Sequence, residues 1–224
     1  MTAPDWPHRL ARARRPDPAG RPPLLVLLHG IGADEDDLFP LASLLDPRFT
    51  VVSLRAPRPY GPGRAWFHID WLPDGTVQPD VAQAHAALIE LERWLAAAPA
   101  RFGTDPERTF LLGFSQGAMM SVGLLRRAPA RLAGVVALSG RAPDGLFEPE
   151  APADAVARVP LLVAHGVHDD LLPVAHGRRM RELFASLSRD FTYREFPVAH
   201  GIAGDEVTLV REWLTARLDA RPRP

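Results

Sequence analysis

Short, mostly apolar runs recur along the chain, and longer amphipathic segments separate them. Such a run is typical of a strand that is buried on both faces of a parallel sheet. Strands are predicted at 24–28, 49–54, 110–112, 134–138, 161–164 and 191–196. Because helical segments lie between them, the pattern predicts an α/β fold with a mostly parallel central sheet and helices on both faces.

Apolar residues at helical spacing mark the segments between these runs. The clearest case is 80–98, where Val81, Ala84 and Leu88 recur every three or four positions, as the buried face of an amphipathic helix requires. Further helices are predicted at 34–45, directly after 113–117, around 180–187 and at 207–218. The helix at 34–45 is expected because its acidic first residues would interact favourably with a helix N-terminus.

Two segments depart from this alternation. Residues 1–22, rich in Pro and Arg, are interpreted as an N-terminal arm, either loosely ordered or an edge strand, and residues 23–220 as a single domain. The connection 55–78 is rich in Pro and Gly but also carries aromatic residues, among them Trp66 and Trp71. Since long loops in compact domains are usually functional, these aromatics are expected either to anchor the loop or, together, to form one wall of an apolar cleft.

Composition narrows the possible chemistry. The chain has 224 residues, of which 46% are hydrophobic, and contains no Cys, Lys or Asn. These absences exclude thiolate nucleophiles, disulfides and Schiff bases. A formal net charge of −1 gives no general reason to bind nucleic acid. No apolar stretch approaches the roughly 20 residues of a membrane-spanning helix, and the N-terminus lacks the apolar core of a secretory signal. We therefore expect a cytoplasmic protein without integral membrane association.

The most informative motif is Gly113-Phe114-Ser115-Gln116-Gly117, which follows a predicted strand and precedes a predicted helix. A serine at such a turn exposes its hydroxyl group above the end of the sheet, and the flanking glycines let the chain turn tightly without a Cβ clash. In this context the motif predicts a nucleophilic serine. Alone it would be weak, and the alternative is a serine that only completes a turn.

An aspartate and a histidine follow the last two predicted strands. Asp169 and His200 come after Ser115 in the chain order that is typical of α/β-hydrolases. Because ligands bind beyond the carboxyl ends of parallel strands, the three side chains are expected to meet there. His200 would act as general base on Ser115, and Asp169 would orient the imidazole. Asp170 is the alternative acid, although Asp169 is closer to the strand end.

A second polar loop, at 29–32, follows the first predicted strand. The tetrahedral intermediate of an acyl transfer carries negative charge on oxygen and needs preorganised donors. The backbone N–H groups of Ile31 in this loop and of Gln116 after the serine are predicted to supply them.

The remaining candidate bases are His29, His68, His165, His168 and His176. His29 and His165 each precede a glycine at a strand end and are expected to brace their loops, whereas His176 is expected to be solvated. The cluster of histidines and aspartates at 165–176 also suits zinc or manganese. Since no specific metal-ligand spacing is present, no metal is predicted.

These motifs together resemble a known family, the phospholipase/carboxylesterase branch of the α/β-hydrolases, which includes the acyl-protein thioesterases. The motifs that carry the resemblance are Leu28-His29-Gly30-Ile31-Gly32-Ala33-Asp34, Arg55-Ala56-Pro57 with Ala65-Trp66-Phe67, Gly113-Phe114-Ser115-Gln116-Gly117-Ala118, Ala137-Leu138-Ser139-Gly140, His165-Gly166 with Asp169 and Pro173, and His200-Gly201. The resemblance spans 24–218. The segment 66–78 is more similar to bacterial carboxylesterases than to eukaryotic thioesterases.

The resemblance implies the α/β-hydrolase fold with little or no lid, no cofactor, and carboxylic-ester or thioester substrates. The catalytic residues that it implies are Ser115, Asp169 and His200, with Ile31 and Gln116 as oxyanion-hole donors. The substrate pocket is expected to include Trp66, Trp71, Leu171 and Leu172.

The sequence therefore predicts a serine carboxylesterase that hydrolyses short to medium acyl esters through an acyl-enzyme. A lysophospholipase or S-acyl thioesterase would use the same triad, and a non-catalytic protein of this fold would bind acyl ligands without turnover. A metal-dependent hydrolase would lose activity to chelators. The expected partner is a small-molecule acyl ester, with no nucleic acid, and the protein is expected to be a monomer or homodimer.

Overall fold

The structure, a computed structural model, describes residues 3–18, 20–72, 77–142 and 150–220, without the side chains of Trp71 and Val77. The strands in these ranges are β1 (His8–Ala11), β2 (Leu24–Leu28), β3 (Thr50–Leu54), β4 (Arg58–Tyr60), β5 (Gly63–Ala65), β6 (Ile69–Trp71), β7 (Val77–Pro79), β8 (Thr109–Phe114), β9 (Gly134–Leu138), β10 (Leu161–Gly166) and β11 (Phe191–Phe196). β2, β3, β9 and β10 are buried at every residue, which confirms the interpretation of their apolar runs.

The main sheet has the strand order β1-β3-β2-β8-β9-β10-β11. β1 runs antiparallel to β3, and the other neighbouring strands are parallel. The remaining strands form two hairpins, β4–β5 and β6–β7, within the 55–78 connection. The sheet is therefore mostly parallel, as predicted.

The helices are α1 (Val81–Phe102), α2 (Gln116–Arg127), α3 (Ala153–Ala157), α4 (Ala175–Leu187) and α5 (Gly204–Asp219). Buried side chains of α1 to α4 pack on one face of the sheet, and those of α5, such as Val210 and Trp213, pack on the other. Helices thus cover both faces, as predicted. Within the described ranges, no helix has the length and apolar character needed to cross a membrane.

The order in which strands are added reverses between β2 and β8. After β2 the chain adds β3 on one side, and it later returns to add β8 on the other side. In parallel α/β sheets such a reversal opens a crevice at the carboxyl ends of the strands, where ligands bind. The loop at 29–32 follows β2, and Ser115 follows β8, so the two predicted sources of oxyanion donors flank this crevice.

Part of the N-terminal arm belongs to the sheet. β1 pairs with β3, with His8 opposite Leu54. Of the two alternatives for the arm, loose order or an edge strand, the structure shows an edge strand at His8–Ala11. The preceding Trp6 is buried and packs edge-on against Trp66, with 5.7 Å between the ring centroids. The arm therefore helps to hold the 55–78 connection against the core.

The prediction of a helix at 34–45 is wrong. The segment forms turns followed by a 3-10 helix at Phe39–Ser43. Asp34 accepts the N–H of Asp36 at 2.9 Å, and such a local turn competes with helical hydrogen bonding. The Asp36 carboxylate pairs with Arg9 of β1 at 2.6 Å. The acidic residues therefore make turns and ion pairs instead of a helix N-terminus.

The predicted helix at 80–98 is confirmed as α1 and extends to Phe102. Asp80 caps it by accepting the N–H of Gln83 at 2.9 Å. The extra turn is held because Phe102 packs against Trp94 with 5.8 Å between the ring centroids. Gly103 then ends the helix in the left-handed region, with φ 71°.

Candidate active site

Ser115 lies at the turn between β8 and α2. Its backbone has φ 54° and ψ −114°, a conformation that costs free energy in an L-residue unless the surrounding structure imposes it. The Ser115 N–H donates to Leu138 O at 2.9 Å. Gly117 permits the turn because a Cβ there would lie 1.9 Å from Leu28 O. This packing holds the serine at the carboxyl end of β8.

The three side chains predicted to be catalytic are in direct contact. His200 Nε2 lies 3.0 Å from Ser115 Oγ, and His200 Nδ1 lies 2.7 Å from Asp169 Oδ2. Both distances are in the hydrogen-bond range. In a neutral imidazole that carries its proton on Nδ1, Nδ1 donates to Asp169 and Nε2 can accept the serine proton. This arrangement has the geometry of a nucleophile, its base and an orienting acid.

The turn after β10 fixes the Asp169 carboxylate. Oδ1 accepts the N–H of Leu171 at 3.0 Å and that of Leu172 at 2.8 Å, which leaves Oδ2 for His200. The Asp169 side chain is fully buried, whereas Asp170 is exposed. The structure thus brings Asp169 to His200 and leaves the alternative acid on the surface.

His165 of β10 supports this turn from inside. The imidazole is fully buried, and its Nε2 donates to Leu172 O at 2.7 Å while lying 3.5 Å from Asp169 Oδ2. Its Nδ1 has no hydrogen-bond partner among the described residues. His165 therefore braces its loop, as expected from the sequence, and the loop that it braces carries the candidate acid.

A short loop joins His200 to α5. The Phe114 ring lies against the imidazole, with 4.9 Å between the centroids. In the first turn of α5, Glu206 Oε2 accepts the Ala203 N–H at 3.4 Å, and burial raises the pKa of Glu206 to about 7. Sequence reasoning missed this buried acid. The available signal was its position as the third residue of a helix, where Glu often bonds the N-cap N–H.

The loop after β2 lies against Ser115. A Cβ on Gly30 would be 3.3 Å from Ser115 Cβ, so the next residue, Ile31, is near the candidate nucleophile. The β4–β5 hairpin holds this loop from outside, because Gly32 N–H donates to Arg64 O at 2.8 Å.

Two backbone N–H groups beyond the carboxyl ends of β2 and β8 are available to a ligand. Gln116 begins α2, and the first N–H groups of a helix have no acceptor within it. In the part of the chain that the structure describes, the N–H groups of Ile31 and Gln116 donate to no backbone carbonyl. They are suited to bind an oxygen atom that becomes negatively charged beside Ser115.

His29 fastens the same loop from inside. Its Nδ1 donates to Gly30 O at 2.7 Å, and its Nε2 accepts the Ala56 N–H at 3.1 Å. Burial lowers the pKa of His29, which keeps the ring neutral and lets one nitrogen accept while the other donates. His29 thus braces the loop, as expected from the sequence.

The side chain of Gln116 makes contacts that sequence reasoning missed. Its Nε2 donates to Phe67 O, and its Oε1 accepts the Trp66 N–H, each at 2.8 Å. The carboxamide is buried. The available signal was a polar side chain next to a tightly packed turn, because a buried amide must find partners.

The four residues predicted to line the substrate pocket lie in different environments. Trp66 is fully buried, and its indole N–H donates to His29 O at 2.9 Å. This burial corrects the expectation that Trp66 walls an open cleft, because it presents no surface to a ligand. Leu172 is also buried, whereas Leu171 is 42% exposed beside the acid turn. Trp71 belongs to β6, but its side chain lies outside what the structure describes.

A surface depression lies at the opposite end of the parallel strands from Ser115. Its lining includes Pro99, Thr109 and Arg131. Thr109 begins the six-residue strand β8, and Ser115 follows its end, so the two are about 20 Å apart. The depression therefore does not belong to the site around Ser115.

The structure also bears on two other expectations, the exposure of His176 and a metal site at 165–176. His176 is half-buried instead of solvated, and its pKa is lowered by burial and by the nearby charge of Arg141. Across the described ranges, no group of three His, Asp or Glu residues lies close enough to hold a metal ion. The cluster at 165–176 therefore gives no support to a metal site.

Comparison with known proteins shows which family the chain resembles. Residues 17–218 match a family described as phospholipase/carboxylesterase. Esterase YpfH of Escherichia coli strain K12 is 28% identical over 174 residues, 75% of this chain and 71% of YpfH. Acyl-protein thioesterase 1 of Gibberella zeae is 29% identical over 119 residues, 52% of this chain and 51% of that protein.

A solved structure extends the likeness over nearly the whole chain. The crystal structure of esterase PE8 superposes with a TM-score of 0.77 and 32% identity, covering 94% of this chain and 97% of that one. Its fold agrees with the mostly parallel sheet and two helical layers described above. The chain therefore belongs to the phospholipase/carboxylesterase family of α/β-hydrolases, enzymes that act on ester bonds.

Proposed function

We propose that the protein is a serine carboxylesterase that hydrolyses short to medium acyl esters, with Ser115 as nucleophile, His200 as general base and Asp169 as orienting acid. The observation that carries this proposal is the chain of hydrogen bonds from Ser115 through His200 to Asp169, at 3.0 and 2.7 Å. A serine hydroxyl alone is a poor nucleophile, and a base in hydrogen-bond contact activates it.

In the acylation step, Ser115 Oγ attacks the ester carbonyl carbon while His200 Nε2 takes the hydroxyl proton. The tetrahedral intermediate collapses as His200 passes this proton to the leaving oxygen, which departs as the alcohol. Water then attacks the acyl-enzyme with His200 as base, and the carboxylic acid leaves. Asp169 holds the imidazole and stabilises its positive charge in both steps.

The carbonyl oxygen gains negative charge in each tetrahedral intermediate. The N–H groups of Ile31 and Gln116 are the proposed donors to it. The close approach of Gly30 to Ser115, where an added Cβ would lie 3.3 Å from Ser115 Cβ, and the hairpin bond at Gly32 support this assignment. Losing one such donor typically raises the barrier by about 3 kcal/mol.

Leu171 is the residue proposed to contact the acyl chain, and Trp71 stays a candidate from the sequence alone, whereas Leu172 is buried like Trp66. The exposure of Leu171 two residues beyond Asp169 supports this assignment. An apolar pocket distinguishes neighbouring chain lengths by only about 1 to 3 kcal/mol per methylene. We therefore expect several short acyl chains to be accepted.

An S-acyl thioesterase or lysophospholipase is the second candidate function. It would use the same three side chains, and the similarity to acyl-protein thioesterase 1 favours keeping it. A cytoplasmic location and a monomeric or dimeric state stay predictions.

Hydrolysis of p-nitrophenyl butyrate by the wild type and by Ser115→Ala tests the proposal. The wild type should release nitrophenol with or without a chelator, and the variant should not. Equal rates in both proteins would remove Ser115 as nucleophile. A matched series of acyl esters and thioesters then separates the two candidates, because a thioesterase would favour the sulfur leaving group or longer chains.

A further inference from the structure

The side chain of Gln116 does more than fill space beside the serine. It is 1% exposed, and it uses its donor on Phe67 O and its acceptor on the Trp66 N–H, each at 2.8 Å. A carboxamide bonded at both ends fixes the orientation of the backbone that it holds. Gln116 thus links the backbone of Trp66 and Phe67 to the start of α2.

Trp66, one of the two residues that Gln116 binds, also contacts the loop at 29–32 on the other side of the crevice. The indole N–H of Trp66 donates to His29 O at 2.9 Å, and the Trp66 ring lies against the His29 ring with 5.6 Å between centroids. His29 in turn donates to Gly30 O at 2.7 Å. The residue after Gly30 is Ile31, the second proposed oxyanion donor.

Each of the two proposed donors is therefore tied to the same residue. Gln116 offers its own N–H to the oxyanion, and its side chain holds Trp66, which holds the loop of Ile31. We propose that Gln116 is a positioning residue for the oxyanion hole, in which its side chain sets the separation between its own N–H and that of Ile31. This inference rests on the proposed function and adds a role for a side chain that the acyl-transfer chemistry does not itself require.

A residue that only stabilises the fold would behave differently, and the chain offers a matched control. Gln83 also binds the 55–78 connection, since its Oε1 accepts the His68 N–H at 3.1 Å. Gln83 lies on α1 and has no such link to the oxyanion loop among the described contacts. Loss of the Gln83 bond should therefore affect stability without affecting the transition state.

The test compares Gln116→Met, Gln116→Glu and Gln83→Met with the wild type. For each we would measure kcat and KM for p-nitrophenyl butyrate and the inhibition constant of n-butylboronic acid, whose serine adduct mimics the tetrahedral intermediate. In Gln116→Met we expect kcat to fall about 10- to 100-fold with KM within about threefold. Boronate affinity should fall by a similar factor, and Gln83→Met should stay within about twofold of the wild type.

Gln116→Glu should lose more activity than Gln116→Met. A carboxylate keeps the shape and the acceptor toward Trp66, but it places an oxygen against Phe67 O, where the amide had its donor. Trp66→Phe is the variant to use where Gln116→Met fails to fold, because it removes the bond to His29 O together with part of the buried ring, and leaves the side chain of Gln116 and its backbone partners in place. It should also lower kcat and boronate affinity together while KM is kept.

Folded Gln116→Met with unchanged kcat and boronate affinity would overturn the inference, as would equal losses in Gln116→Met and Gln83→Met. If Gln116→Met does not fold, wild-type kcat in Trp66→Phe would overturn it. In each case Ser115→Ala still tests the proposed function separately, because that variant should abolish turnover whatever Gln116 does.

Discussion

The two sides of Ser115 are built in different ways. On the acid–base side, His200 reaches Asp169 and Ser115 across the chain, but the bonds that hold each supporting turn are local: Asp169 accepts N–H groups two and three residues along the chain, and Glu206 accepts that of Ala203. On the oxyanion side, the hydrogen bonds of Gln116, Trp66 and His29 join residues that are 50, 37 and 27 positions apart.

This difference separates proton transfer from charge stabilisation. A local turn can orient a carboxylate through its own backbone N–H groups, as it does at Asp169. Two N–H groups from distant segments can meet at one oxygen atom only when those segments are locked together. We therefore expect the acid–base side to be sensitive to loss of chemical groups and the oxyanion side to be sensitive to small displacements.

The largest expected effect is on the acid–base side. Asp169→Asn keeps the shape of the side chain but no longer stabilises the imidazolium or selects the required tautomer, and kcat should fall about 10⁴-fold. Asp170→Asn is the matched control, because this neighbour is exposed, and it should remain within about threefold of the wild type. Steady-state hydrolysis of p-nitrophenyl butyrate measures both. Equal losses would mean that the adjacent carboxylates share the role.

The second prediction concerns a substitution that displaces the oxyanion side without removing a functional group. A Cβ on Gly63 would lie 1.9 Å from Gly32 O, so Gly63→Ala should shift the loop that carries Ile31 and lower kcat about 100-fold. Gly201→Ala places the same methyl group beside His200, where nothing lies within 4 Å, and should leave kcat unchanged.

Circular dichroism should show that both glycine variants are folded before their kcat values are compared. A Gly201→Ala loss as large as that of Gly63→Ala would erase the proposed difference between the two sides.

The same contrast explains what the sequence could predict. The buried strands, the serine turn and the order of Ser115, Asp169 and His200 are each recognisable from the pattern within a short stretch of sequence, even though the strands pair with distant residues. Their chemistry is therefore visible in the local pattern. The strand order adds the point of reversal between β2 and β8, which brings the two loops together.

Long-range contacts account for what the sequence missed. The burial of Trp66 depends on Trp6 and His29, which lie in different segments, so an aromatic residue in a loop could equally face a ligand. The false helix at 34–45 combines a local and a distant cause, because Asp34 closes a turn on the Asp36 N–H and the Asp36 carboxylate pairs with Arg9 of β1. For Trp66 the deciding neighbours are distant in the chain.

The smallest predicted effect concerns Glu206. Burial raises its pKa from 4.5 to about 7, so the folded protein keeps a proton that the unfolded chain releases between these values. This contribution to stability is present in full below about pH 4.5 and is lost as the pH rises through 7. Gln cannot ionise, so Glu206→Gln should gain about 2 kcal/mol relative to the wild type between pH 5 and pH 8.

Urea unfolding at each pH measures this difference, with Glu212→Gln as the control, because Glu212 is exposed on the same helix. The control should track the wild type at every pH. Parallel curves for Glu206→Gln and the wild type would show that the buried carboxyl group does not titrate in this range.

The central claim is that Ser115 is the residue that becomes acylated. The most direct measurement is the intact mass of the protein after reaction with a fluorophosphonate, which transfers one phosphonyl group to an activated serine, followed by peptide mapping. We expect one phosphonyl group per chain, located on Ser115, and none in Ser115→Ala. Labelling of another residue, or equal labelling of the variant, would contradict it.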